Sequence, residues 1–102
     1  MKVTTKTLIL QLIYSYKMTK KEKLTTRLLS KPKDFRYSEL VSLLGSLGYQ
    51  EFSTGKTSGS RIAFCHGKTR HIIRLHRPHP GDIMKMYQVE LIIDVLKREG
   101  ML

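Results

Sequence analysis

The residues that could do chemistry in this chain are gathered in one stretch. All four histidines, His66, His71, His76 and His79, lie between Phe52 and Gly81. Lys56, Arg61, Lys68, Arg70, Arg74 and Arg77 share that stretch, and it holds no Asp or Glu. A histidine titrates near neutral pH and can take the proton from a ribose 2′-hydroxyl, which then attacks the adjacent phosphate. A guanidinium or ammonium nearby stabilises the charge that builds on the phosphate oxygens. Such a reaction needs no metal ion. His76 and His79 do stand at H-x-x-H spacing, which can hold zinc on a helix or tight turn. Here the segment carries Pro78 and Pro80 and no neighbouring carboxylate, so neither a metal site nor another cofactor is expected.

Other motifs carry less. Gly55-Lys56-Thr57 resembles the end of a phosphate-binding P-loop, but Gln50 stands where that loop needs its first glycine. Cys65 is the single cysteine, which excludes an internal disulfide and a cysteine zinc cluster and fits a reducing cytoplasm. In a strand, neighbours point to opposite faces, so His66 is badly placed to activate Cys65. A buried or half-buried structural thiol is expected.

The whole chain is as basic as that stretch. Its 102 residues carry 19 Lys and Arg against 8 Asp and Glu, a formal charge of +11, with a pI near 10.1. Self-repulsion of this size is relieved by a polyanionic partner. Apolar residues make up 40% of the chain, enough for one thin core and against disorder. The apolar patch from Leu8 to Ile13 is too short for a membrane span, and no small-residue cleavage site follows it. A cytoplasmic protein that does not enter membranes is expected.

The elements that must position these residues follow from periodicity. Residues 1–17 differ from the rest; Met18 reads as an internal start, or the segment supplies an extra strand or helix. Thr19 and Glu22 form a T-x-x-E capping box for a short basic helix from about Thr19 to Leu29. Its cluster of Lys20, Lys21, Lys23, Arg27, Lys31, Lys33 and Arg36 reads as a solvated face. Leu40, Leu43, Leu44 and Leu47 recur at helical spacing from about Tyr37 to Leu47, where Gly48 supplies the stop. The period then becomes two. Strands are predicted at Tyr49–Phe52, Arg61–His66 and Arg70–His76, with a turn at Gly67-Lys68-Thr69. A last helix is predicted from about Ile83 to Glu99, with Met84, Val89, Ile92, Ile93 and Leu96 inward. The order is helix, helix, three antiparallel strands, helix. Leu40, Leu44, Ile62, Phe64, Ile73, Leu75 and Ile92 would fill the covered face. Arg61, Cys65, Arg74 and His76 would lie on the open one.

From Met18 onward the chain resembles the HicA-type toxins of bacterial toxin–antitoxin pairs. The pieces that carry the resemblance are ELVSLLGSLGY (39–49), GKTSGSRIAF (55–64), LHRPHPG (75–81) and the closing LKREGML (96–102). The resemblance implies an α+β fold like that of double-stranded-RNA-binding domains over residues 35–102. Residues 1–34 would be an N-terminal extension with an extra basic helix. It also implies a metal-independent endoribonuclease acting on mRNA, and a HicB-like antitoxin as partner. Family members usually carry the catalytic histidine directly after the Gly-Ser pair. Here Gly59-Ser60 is followed by Arg61, which cannot serve as a base at neutral pH but can bind phosphate. Lys85 matches the family's Leu-Lys lysine, while Met86-Tyr87 replace the Pro-Gly that often follows. His76 and His79 are therefore the catalytic candidates, with Lys56, Ser60, Arg61, Arg74, Arg77 and Lys85 as RNA contacts. The alternative is a relative that binds RNA or antitoxin without cutting, with Arg61 marking the lost base.

Overall fold

The structure is a computed structural model that describes residues 4–9, 12, 18–52 and 61–102. Helix α1 runs over Lys20–Leu29, with Thr19 as its N-cap. The Thr19 hydroxyl accepts from the Glu22 amide at 3.1 Å, the half of the expected capping box that forms. Helix α2 covers Tyr37–Ser46. Strands β1 (Tyr49–Phe52), β2 (Arg61–His66) and β3 (Ile72–His76) follow, then helix α3 (Met86–Arg98). Upstream, residues 5–9 are helical, and Leu8, Ile9 and Leu12 are exposed. Among the described residues no helix is long and apolar enough to cross a membrane.

Two boundaries differ from those predicted. β3 begins at Ile72, because Arg70 takes a positive φ of 65° and extends the turn. α3 begins at Met86, because the backbone before it is already used. The Tyr37 amide donates to the Asp82 carbonyl at 2.8 Å, and the Met84 amide to the Phe35 carbonyl at 2.7 Å. This bridge holds residues 82–84 extended, so Met84 joins the core from outside the helix. The Lys85 amide, first of α3's orphan donors, is taken by the Gln88 side chain at 3.0 Å.

The three strands form an antiparallel sheet in the order β1-β2-β3. One face is covered. Leu28 of α1, Leu40, Leu43 and Leu44 of α2, and Val89, Ile92, Ile93 and Leu96 of α3 share one core with Tyr49, Ile62, Phe64, Ile73 and Leu75. This is an α+β fold consistent with a double-stranded-RNA-binding-domain-like arrangement plus an additional N-terminal helix.

Polar contacts fix the ends of this assembly. Arg27 of α1 reaches Glu39 of α2 at 2.6 Å and Asp34 at 3.0 Å, and its guanidinium lies over the Phe35 ring. It therefore leaves the solvated basic face that Lys20, Lys21 and Lys23 keep. The Arg27 guanidinium holds the Glu39 carboxyl below the usual glutamate range. At the hairpin end, His66 is buried. Its Nδ1 accepts from the amides of Lys68 and Thr69, both at 3.1 Å, so its Nε2 is the donor to the Leu47 carbonyl at 3.0 Å. Gly48 makes room for this ring: at a φ of 100°, a Cβ there would stand 2.6 Å from His66 Nε2.

Two outcomes follow. Gly48→Ala should destabilise the fold by about 2 kcal/mol or more, since a left-handed backbone and a clash act together. Gly100→Ala, also at positive φ but facing open space, should cost only about 1 kcal/mol. Equal costs in urea titration would mean that the His66 ring is not the constraint. For Glu39, a lowered folded-state pKa means stability that is present above the ordinary value of 4.5 and lost as the pH falls through the folded value. Glu39→Gln should thus be less stable than the parent at pH 7, with the difference shrinking below pH 4.5 in acid-denaturation curves.

Candidate nucleic-acid interface

The uncovered face of the sheet follows from strand geometry. Side chains alternate along a strand, and residues opposite one another on neighbouring strands share a face. Arg61 pairs with His76, Ala63 with Phe52 and Arg74, and Cys65 with Gln50 and Ile72. Since Ile62, Phe64, Ile73 and Leu75 are buried, these eight residues form the other face. It contains no carboxylate. Arg61, Arg74 and His76 are exposed on it, Cys65 is half-buried, and Ala63 is buried. Cys65 Sγ lies 3.6 Å from the His66 carbonyl oxygen, while the His66 ring is on the covered side. The thiol and imidazole are thus divided by the sheet.

The candidate residues separate accordingly. Arg61 and His76 are brought together as partners at one end of the face, with Arg74 one row inward. His79 is exposed in the loop after β3. Lys85 is exposed at the N-cap of α3. Lys56 and Ser60 lie outside the described residues. Arg77 directly follows His76 and so leaves the strand on the other side. There it pairs with Glu51 at 3.2 Å and lies over the Tyr37 ring at 5.1 Å. Tyr37 donates to the same Glu51 oxygen at 2.7 Å. Burial first, and then that bond to Glu51, raise the Tyr37 phenol well above its usual range, so it stays protonated as a donor.

The four histidines occupy different surroundings. His66 is locked in backbone bonds. His71 is half-buried, with Nδ1 at 2.9 Å from the Tyr49 hydroxyl and 3.7 Å from a Glu99 oxygen. His76 and His79 are the two exposed imidazoles. Among the described residues no three His, Cys, Asp or Glu side chains gather where they could hold a metal ion.

One residue that positions this end escaped sequence reasoning. Gln88 is buried at 3% exposure, on the side of α3 that carries Val89 and Ile92. Its Oε1 accepts from the Lys85 amide, and its Nε2 donates to the His76 carbonyl at 2.8 Å. The first turn of α3 is thereby tied to the last residue of β3. The available signal was a lone amide in the first turn of an otherwise apolar helix stripe.

The comparisons with known proteins agree with the fold's position in the chain. The profile of a family described as the HicA toxin of bacterial toxin-antitoxin matches residues 37–100, from the first residue of α2 through α3. No curated protein and no solved structure matches the chain. The match covers well over half of the 102 residues, and the chain belongs to the HicA toxin family.

Proposed function

We propose that this chain is the toxin of a HicA/HicB-type pair, that it binds mRNA across the open face of its sheet, and that it cuts the RNA without a metal ion. The observation that carries this reading is the face itself. Arg61, Arg74 and His76 stand exposed on a surface free of carboxylates, and Glu51 of the neighbouring strand β1 is turned away and held by Tyr37 and Arg77. Among the described residues neither Arg61 nor Arg74 has an ion-pair partner, and guanidinium groups on such a surface neutralise phosphates and release counterions. His76 or His79 would take the proton from a 2′-hydroxyl, with Arg61 and Arg74 stabilising the charged phosphate. Lys85, and Lys56 and Ser60 of the preceding loop, would extend the phosphate contacts. Arg77 contributes less directly, since its charge is already shared with Glu51. An acidic HicB-like antitoxin would cover the same cations and compete with RNA. The site of action is the cytoplasm, where mRNA is found.

A second reading has an observation of its own. Arg61 occupies the position after Gly59-Ser60 where the family usually has its histidine, and it is permanently charged. A protein that binds RNA or antitoxin without cutting keeps everything this face offers except a base at that position.

Binding is tested by Arg61→Gln with Arg74→Gln. The double variant should bind RNA at least about tenfold more weakly, with the slope of log K against log salt reduced by roughly one to two. An unchanged slope would show that phosphate contacts lie elsewhere. Cleavage is tested with purified protein and RNA in the presence of a chelator. The parent should shorten the RNA, and His76→Ala or His79→Ala should slow it by roughly a hundredfold or more. Intact cleavage in both variants rejects the histidine assignment, and binding without cleavage by the parent supports the second reading.

A further inference from the structure

The hairpin end of the open face carries a groove distinct from the Arg61–His76 end. Gly48, Gln50 and Phe52 line it from β1 and the residue before it, and Cys65 and Gly67 line it from β2 and the residue after it. Gln50, Phe52 and Cys65 belong to the uncovered face by strand alternation, and Gly48 and Gly67 flank them at the hairpin end. Arg70, past the hairpin turn, completes the rim. Two of these residues, Gly48 and Gly67, have no side chain and so leave room in the groove. At its far end stands Phe52, exposed at 38% although it is one of only three phenylalanines, the buried Phe35 and Phe64 being the others. Glu51 also borders the groove, but its carboxylate is held on the opposite side by Tyr37 and Arg77.

A surface made only to hold phosphates would gain nothing from an exposed ring and a thiol. Here Phe52, Cys65 and Ile72 add apolar area to a face that also carries Arg74, with Arg70 at its rim. Nucleobases alternating with phosphates present the complementary pattern. Stacking on an aromatic side chain requires a base free of its partner, which single strands offer and duplexes do not. We propose that this groove is a subsite for one unpaired nucleobase of single-stranded RNA. The Phe52 ring stacks on the base, the Gln50 amide meets its hydrogen-bonding edge, and Arg70 holds a flanking phosphate. The subsite rests on the reading that this face binds RNA. Along β2, Phe52 stands opposite Ala63, two residues from Arg61, and Gln50 opposite Cys65, four residues from it, about 7 to 13 Å, so one strand of RNA can occupy both ends.

The test measures binding of the full chain to a short single-stranded RNA and to a fully paired RNA duplex of equal length, by fluorescence anisotropy. Phe52→Leu keeps the apolar bulk and removes the ring; Phe52→Tyr keeps the ring. Phe52→Leu should weaken single-strand binding about tenfold and leave duplex binding within about a factor of two. Phe52→Tyr should bind both like the parent, which guards against a folding defect in the leucine variant. If the parent binds neither RNA, the RNA reading itself fails. If the parent binds and Phe52→Leu matches it on single strands, or loses both RNAs equally while Phe52→Tyr does the same, the base subsite alone is overturned.

Discussion

The two-residue period of β2 and β3 is the constraint on which the molecule rests. Burying Ile62, Phe64, Ile73 and Leu75 under the helices leaves their neighbours no place but the opposite face. Arg61, Arg74 and His76 are therefore presented together by the same packing that stabilises the core. A shift of one residue in register would bury guanidinium groups without partners, at a cost that no domain of this size sustains. The cationic surface and the fold are two sides of one alternation.

Neutralisation is arranged to leave that surface alone. Among the described residues, Asp34 and Glu39 are taken by Arg27, Asp94 by Arg98, and Glu51 by Arg77. Each of these pairs lies off the open face. Four of the chain's eight carboxylates are thus paired with arginines away from the open face.

Much of this was legible in the residues. Strands β1 and β2 coincide with the alternating runs, and the core positions Leu40, Leu44, Phe64 and Ile92 follow from spacing alone. The start of α3 was not legible, because it depends on the backbone bridge between Phe35–Tyr37 and residues 82–84, whose partners are far apart in the chain. Within the site, parity could have separated Arg77 from Arg74 and His76, since it is odd by one position. That Glu51 would be waiting for it depends on how β1 lies beside β2. His66 was left out of the catalytic candidates without a structural role being assigned to it; its bonds go to main-chain atoms of a turn and of Leu47, which composition does not encode. Charge clustering reveals where a surface is, and only register reveals which members share it.

The two ends of the sheet are tied down by different side chains, His66 and Gln88. At the hairpin, the imidazole of His66 is bonded to main-chain groups of the turn and of Leu47. At the other end, a single amide couples β3 to the opening turn of α3. Because that amide carries neither net charge nor a titratable proton, the joint between strand and helix is indifferent to pH and ionic strength.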